Sequence, residues 1–394
     1  MNAKIISGLF VLSLMVSACV SEFNAKLPNN QEQILIVEGN IIENTYATFY
    51  LSKSFPLDSV FNPSEGFVND AKLTIIGSDG SQSQPASNYG LGKYQIFIGN
   101  LNDDVAYGIQ IKYNGNTYQS TFLKPLHTPE IDSVSWTQPE VKGTVFFHIS
   151  THDSKDGSNF YMWDYKEDWE VTAYYATTIF FNSIDSSFYI ISPAPYYYCW
   201  KSALSNKFLI GSTESLSENR IINKQFLQFN AGDDRFSVLY CITVNQRAIS
   251  KGAYEYYQNK ITLNGEMGGL FTPQPSELSG NITCLTDPSQ KVMGYVDVSK
   301  NATQKRLFVY SGEITRPLSH PDCASITQDS INQIMSQYGY TYADIYSMGY
   351  CPAVEDPRAY PNAFPSEWST GYCTNCLYNG GTKNKPDFWP NNDQ

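Results

Sequence analysis

Residues 163–170 combine aromatic rings with carboxylates, the residue types found in glycoside hydrolase clefts. Such enzymes pair two carboxylates by their distance in space, which a single sequence does not reveal. Period-2 alternation divides the cluster into two faces. One face holds Trp163, Tyr165, Glu167 and Trp169, and the other holds Asp164, Lys166, Asp168 and Glu170. This division is typical of a half-buried hairpin, which we favour, and a surface glycan hydrolase is the alternative.

Seven cysteines follow Cys19 and are candidates for disulfide bonds: Cys199, Cys241, Cys284, Cys323, Cys351, Cys373 and Cys376. An odd number leaves at least one thiol unpaired. The spacing Cys373-x-x-Cys376 also suits zinc or redox chemistry. A structural zinc site needs further ligands at a similar spacing, however, and a thioredoxin-like motif needs a βαβ unit. We therefore expect disulfides among the last four cysteines, and Cys199 with Cys241 is a further candidate pair.

Histidines and catalytic motifs give little support for an enzyme. His148 and His152 would share one face of a strand, with Asp153 adjacent, which permits a metal site. A strand that runs into a turn at 153–159 is the commoner arrangement. The sequence contains no HExxH, G-x-S-x-G or Walker A motif. We expect a protein that is not an enzyme, with no catalytic residues, no metal and no cofactor.

Tyrosine is abundant, with 29 residues beside 22 phenylalanines. A tyrosine ring offers a large contact area and a hydrogen-bonding tip, which favours interfaces, although tyrosine is also a good strand residue. The densest runs supply a candidate interface that consists of Tyr174, Tyr175, Tyr196, Tyr197, Tyr198 and Trp200.

Alternation of apolar and polar residues predicts that strands position most of these groups, so the fold class is mostly β. Residues 30–127 are predicted to form an N-terminal sandwich of the immunoglobulin-like or transthyretin-like kind. An Asn114-Gly115 pair between two alternating runs predicts a hairpin turn there. Residues 128–320 are predicted to form a second β-sandwich-like domain with an inserted helix near 250–262.

The last part of the chain has a different composition. Strands at 292–298 and 306–310 are predicted to complete the second domain. Residues 321–394 form a predicted cysteine-rich extension with little periodicity, in which 327–337 is a candidate helix.

Residues 1–18 have the features of a secretory signal peptide, with a basic start and an apolar run too short to span a membrane. The segment ends in Val-Ser-Ala-Cys, which resembles a bacterial lipobox. This predicts that Cys19 is lipidated and anchors the mature chain to a membrane. Residues 19–29 would form a tether, in which Glu22 favours display at the cell surface. Export also permits disulfides.

Composition excludes several classes of protein. The chain has 394 residues and a net charge of −12, whereas a nucleic-acid-binding protein needs a basic footprint. A hydrophobic content of 42% excludes a disordered chain. After the signal peptide, no apolar run approaches the roughly 20 residues of a membrane-spanning helix.

Four regions of the sequence resemble an uncharacterised family of Bacteroidota outer-membrane lipoproteins, a domain of unknown function whose genes lie beside TonB-dependent transporters. These regions are LIVEG (35–39) with GFVNDA (66–71), YEYY (254–257), GLFTP (269–273) with GY (294–295), and CTNC (373–376) with GGT (380–382).

The resemblance implies a lipid-anchored protein of the outer membrane that acts as a non-catalytic accessory or binding subunit of a TonB-dependent, SusC-like barrel at the cell surface. It implies no catalytic residues, because the family's biochemistry is unsettled. The alternatives are a surface glycan hydrolase and a stand-alone structural or adhesive lipoprotein.

Overall fold

The computed structural model describes residues 33–55, 66–155, 157–263, 278, 280–317, 323–359 and 362–390. The predicted signal peptide, the tether and Cys19 lie outside these residues. The chain is mostly β, as predicted. None of the helices in the described part of the chain has the length and apolar character needed to cross a bilayer.

The strands, in chain order, are β1 (Leu35–Glu38), β2 (Ile41–Ile42), β3 (Tyr46–Lys53), β4 (Lys72–Gly77), β5 (Ser87–Asn88), β6 (Lys93–Phe97), β7 (Tyr107–Tyr113), β8 (Asn116–Ser120), β9 (Ile131–Thr137), β10 (Thr144–His152), β11 (Phe160–Thr172), β12 (Ile179–Asn182), β13 (Ser187–Ile190), β14 (Tyr198–Leu204), β15 (Leu209–Ser212), β16 (Arg220–Asn230), β17 (Leu239–Ala248), β18 (Ile282–Cys284), β19 (Val292–Met293), β20 (Val298–Ser299), β21 (Thr303–Tyr310), β22 (Ile326–Thr327), β23 (Tyr350–Glu355) and β24 (Pro365–Thr370). The helices are α1 (Lys251–Leu263), α2 (Gln328–Tyr338), α3 (Tyr342–Ser347) and α4 (Gly371–Thr374).

The N-terminal body is a sandwich of two sheets, ordered β19-β1-β3-β6-β5 and β18-β8-β7-β4. Inward side chains of both sheets, such as Phe49 and Ile109, pack into one core. The β7–β8 hairpin turns at Asn114 and Gly115, with φ values of 47° and 77°. Both values lie in the left-handed region that a type I′ turn requires. The predicted N-terminal sandwich and its Asn-Gly hairpin are confirmed.

Strands β18 to β20 return to this first body, although the sequence places them in the second domain. Strand β18 pairs with β8, β19 runs parallel to β1, and β20 runs parallel to β2. Ile282, Cys284 and Val298 are buried in the first core. Alternation predicts that a segment is a strand but not which sheet edge it pairs with, and here the partners come from more than 150 residues earlier in the chain.

The second body packs the sheet β16-β10-β9 against the sheet β14-β11-β17-β21, to which β15 adds by pairing with β11. Phe147, Trp163 and Tyr240 lie in the core between these sheets. Helix α1 lies within one residue of its predicted position and covers the outer face of the second sheet. Its Tyr256 packs there in a cluster that includes Met162 of β11.

The C-terminal extension has a core of its own. Strands β22, β24 and β23 form a small sheet, and α2 and α3 pack around the fully buried Trp368. Helix α2 starts where Thr327 accepts a hydrogen bond from the Ser330 N–H and ends at Gly339 with φ 71°. Its predicted position is therefore correct to within a residue. Phe188 of the β12–β13 hairpin joins this core, so the extension and the second body are packed together.

Candidate functional site

The inward face of the 163–170 cluster is a structural element. Glu167 is only 4% exposed and accepts hydrogen bonds from Arg235 Nε at 2.8 Å and from the Tyr240 hydroxyl at 2.9 Å. The Arg235 guanidinium lies over the rings of Trp169 and Phe229, at 4.6 and 4.3 Å from their centroids. Burial raises the pKa of Tyr240 well above its usual value, and the negative charge of Glu167 adds to this effect. The Tyr240 hydroxyl therefore keeps its proton and acts as a hydrogen-bond donor.

The opposite face departs from the predicted half-buried hairpin, because Asp168 and Glu170 are 0% and 1% exposed. Asp168 accepts a hydrogen bond from the Ser202 hydroxyl and pairs with Lys166 Nζ at 2.8 Å. Glu170 accepts a hydrogen bond from Trp389 Nε1 at 3.1 Å. The C-terminal extension folds over this face of the sheet and buries it, which the sequence around residue 170 does not reveal.

Two disulfides form, Cys199–Cys376 and Cys323–Cys373. The candidate pair of Cys199 with Cys241 is wrong, because these side chains face opposite sides of the same sheet. Cys199 lies in the core between the two sheets, whereas Cys241 packs beside Trp389 on the outer face.

Three cysteines are unpaired in the described part of the chain: Cys241, Cys284 and Cys351. Cys351 is therefore not part of the predicted set of disulfides within the extension. Cys373 and Cys376 bind different partners, so the Cys-x-x-Cys motif connects the extension both to itself and to the second body.

His152, one of the two candidate metal-binding histidines, holds local structure. His152 Nδ1 lies 2.7 Å from Asp132 Oδ1 on the neighbouring strand β9. Asp153 accepts hydrogen bonds from the backbone N–H groups of Lys155 and Gly157, which organises the turn after β10. The described residues contain no group of three or more His, Cys, Asp or Glu side chains that could hold a metal ion.

Much of the tyrosine-rich candidate interface contacts the C-terminal extension of the same chain. Tyr175 donates its hydroxyl to the Cys323 carbonyl at 3.1 Å, and the Tyr196 carbonyl accepts from the Cys376 N–H at 3.1 Å. Trp200 exchanges two backbone hydrogen bonds with Thr382. The remaining candidates are Tyr174 and Tyr198, which are exposed, and Tyr197, which is partly buried against Tyr198. No measurement of a partner bears on them, so the candidate interface stays a prediction.

The extension and the β12–β13 hairpin together build an aromatic groove of about 240 Å³, whose walls are Phe180, Tyr189, Tyr196, Tyr346, Leu377 and Tyr378. The rings of Tyr189 and Tyr196 each lie 5.8 Å from the ring of Phe180. Tyr189, Tyr346 and Tyr378 are 44%, 37% and 64% exposed. This groove is the candidate functional site, because it brings exposed tyrosine rings together around Phe180, and such rings offer a large contact area with a hydrogen-bonding tip.

Two of the groove residues were among the predicted site residues, Tyr196 as part of the candidate interface and Cys351 as a candidate disulfide cysteine. Tyr346 lies on α3, whose start has the Thr341-x-x-Asp344 capping box that the sequence displays. Tyr378 lies two residues after Cys376, the second cysteine of the Cys-x-x-Cys motif. Cys351 lines the groove with its thiol, and burial raises the pKa of that thiol, so it stays protonated and unreactive at neutral pH.

Comparisons with known proteins give a family but no activity. The model of a family described as "Domain of unknown function (DUF4249)" matches residues 20–305. No curated protein matches the chain. Among solved structures, a segment of two fibronectin type III domains from chicken tenascin is 11% identical, covers 55% of this chain and 91% of its own, and has a TM-score of 0.15. At that score the likeness supports nothing further, and the sandwich assignment depends on the strand pairing described above.

Proposed function

Because the chain belongs to the DUF4249 family, a domain of unknown function, and presents an exposed aromatic groove, we propose that it is a lipid-anchored outer-membrane protein that acts as a non-catalytic binding subunit of a TonB-dependent, SusC-like barrel. The groove is the observation that carries this proposal. Tyrosine is enriched among the residues that supply most of the binding energy at protein interfaces.

The groove is held rigidly, which supports a role in binding. The Cys199–Cys376 bond joins one wall to the second body, and Cys323–Cys373 closes the extension on itself. Ring-to-ring contacts fix Phe180 and Tyr196 in place. A rigid surface loses little conformational entropy when a partner binds, so more of the contact energy becomes affinity.

The N-terminal sequence supports membrane attachment. The lipobox at 16–19 predicts acylation of Cys19, and Glu22 favours transfer of the anchored chain to the cell surface. A chain held at the outer membrane diffuses in two dimensions beside the barrels of that membrane, which raises its effective concentration for them.

The structure weakens the hydrolase alternative for three of the four carboxylates in residues 163–170. Glu167, Asp168 and Glu170 are each at most 4% exposed and bound to donors of the same chain. Asp164 is 48% exposed and lines a cavity with Glu38, but it is paired with Asn245 and Arg247. A glycosidase needs two carboxyl groups that face a cleft and the sugar bound in it.

Native purification tests the proposal. The affinity-tagged lipoprotein is extracted from outer membranes of its host in mild detergent, and we expect a TonB-dependent barrel to co-elute in stoichiometric amount. In the Tyr346→Ala/Tyr378→Ala variant the amount of barrel should fall at least tenfold, since each of these rings is a candidate binding hot spot.

The matched control is Tyr46→Ala/Tyr89→Ala, which removes two rings that are 71% and 63% exposed on the N-terminal sandwich. This variant should retain the barrel. If the lipoprotein elutes alone at every detergent and salt concentration, the proposal is wrong and the chain is a stand-alone structural or adhesive lipoprotein. If the groove variant retains the barrel as well as the control does, the groove is not the docking surface.

A further inference from the structure

A cavity of about 320 Å³ lies at the seam between the two bodies, apart from the aromatic groove. The first body contributes Glu38 from β1, the second contributes Asp164 and Arg247, and α1 contributes Tyr256 and Lys260. Cavities of this volume in proteins hold small organic ligands, usually where two bodies meet and where a few polar groups face an apolar wall.

The described partners of Arg247 leave its guanidinium group poorly satisfied. The side chain is only 16% exposed, and its Nη2 donates to the Met162 sulfur at 3.2 Å, which is a weak acceptor. Its ion-pair partner Asp164 is 3.9 Å away and already accepts a 2.7 Å hydrogen bond from Asn245. A guanidinium group has five N–H donors in a planar fork, and a carboxylate satisfies two of them at once.

The acidic groups nearby are engaged by other donors. Lys260 Nζ lies 2.7 Å from Glu38 Oε1 and neutralises that carboxylate. Asp297, whose buried carboxyl lies within the field of Arg247, accepts hydrogen bonds from the backbone N–H groups of Ser250 and Val298 at 2.7 and 3.1 Å. Of the other two cations in the lining, Lys207 is exposed to solvent, and Arg247 is the partly buried cation that an incoming anion would meet.

Aromatic rings form another part of the cavity lining. The Phe208 and Tyr257 ring centroids are 5.2 Å apart, and Lys260 Nζ lies 4.7 Å from the Phe208 centroid. Tyr256 and Tyr257 are at most 9% exposed, so their positions are fixed by packing. A flat apolar group could stack against this wall while its charged end reached Arg247.

We propose that the seam cavity binds a small organic anion, namely a carboxylate carried on an apolar or aromatic body. The carboxylate accepts two N–H groups of Arg247, and the apolar body lies against Phe208 and Tyr256. The ligand would touch both bodies of the chain. This site does not depend on the proposed docking to a barrel, because no residue of the cavity belongs to the aromatic groove.

The probe is indole-3-acetate, and the uncharged indole-3-acetamide is its matched counterpart. Binding to the purified full-length chain is measured by calorimetry and by ligand-observed NMR. We expect saturable binding of the carboxylate that is at least tenfold tighter than that of the amide. The carboxylate should also raise the midpoint of thermal unfolding of the chain, and the amide should not. This comparison uses the unaltered chain and so does not depend on how a variant folds.

Two variants locate the site. Arg247→Gln should weaken binding of indole-3-acetate at least tenfold, whereas Arg358→Gln, which removes an exposed arginine of the extension, should leave it unchanged. Equal affinity for the carboxylate and the amide would overturn the proposal, as would wild-type affinity in Arg247→Gln or the absence of saturation up to the solubility limit of the probe.

Discussion

The substitution Glu167→Gln tests whether the carboxylates of the 163–170 cluster are structural. Glu167 is 4% exposed, and its Oε1 receives both the 2.8 Å bond from Arg235 and the 2.9 Å bond from Tyr240. Glutamine keeps the shape and an acceptor oxygen but removes the negative charge. The positive charge of Arg235 then remains between the Trp169 and Phe229 rings without its main counter-charge.

The expected loss of stability follows from this geometry. Breaking a fully buried ion pair costs about 3 to 5 kcal/mol. Here Arg235 is 21% exposed and keeps Asp233 at 3.1 Å, so part of the charge stays compensated. We therefore expect the free energy of unfolding to fall by about 2 to 3 kcal/mol in Glu167→Gln, which is less than the loss for a fully buried pair.

Urea denaturation followed by tryptophan fluorescence measures this change. The control is Glu214→Gln, which makes the same chemical change in a surface pair with Lys251, 50% and 57% exposed, and should cost less than about 1 kcal/mol. The double variant Glu167→Gln/Arg235→Met should recover part of the loss, because the unpaired charge is gone. A Glu167→Gln variant as stable as the control would refute the structural role of this carboxylate.

Two further predictions concern the disulfides and pH. The Cys199–Cys376 bond spans 177 residues and the Cys323–Cys373 bond spans 50, for which loop-closure entropy gives upper values of about 5 and about 4 kcal/mol of stabilisation. Variants in which both cysteines of one bond are replaced by serine should therefore unfold at clearly lower urea concentrations. A variant whose free energy of unfolding stays within about 1 kcal/mol of wild type would contradict this. Burial raises the pKa of Asp297 from 3.8 to about 6. The folded chain therefore binds this proton more tightly than the unfolded chain, so stability is highest below pH 4 for this group and falls by about 3 kcal/mol as the pH rises from about 4 to above 6. Unfolding free energies measured across that range should show this loss, and Asp297→Asn should lack it; an equal slope in both proteins would disprove the assignment.

Local sequence patterns predicted the elements better than their partners. Helices α1 and α2 lie within a residue of their predicted positions, and the structure shows a local signal at each: a buried stripe along α1 and the Thr327 N-cap of α2. The hairpin at Asn114-Gly115 was predicted for the same reason, because positive φ is a property of the turn residues themselves.

The long-range features were not predictable from these patterns. Strand β18 pairs with β8 across about 160 residues, and the burial of Glu170 depends on Trp389, which is 219 residues later. Seven cysteines allow many pairings, and only the opposite orientation of Cys199 and Cys241 in one sheet excludes their bond. The aromatic groove was missed because its walls come from a hairpin and an extension that no local signal brings together.

The crossings of the chain between the two bodies explain why the seam cavity has fixed walls. In the described part of the chain, the segments that follow β8, β17 and β20 meet there, and the buried Thr128 joins them. Its hydroxyl donates to the Asn301 carbonyl at 2.6 Å and accepts the Ala248 N–H at 3.0 Å, while Ser299 donates its hydroxyl to the Ala248 carbonyl at 3.2 Å. A rotation of one body against the other would break these buried hydrogen bonds together, each at a cost of about 1 to 3 kcal/mol. The cavity is thus organised before a ligand arrives, and little of the energy of an Arg247–carboxylate contact would be spent on closing the two bodies around it.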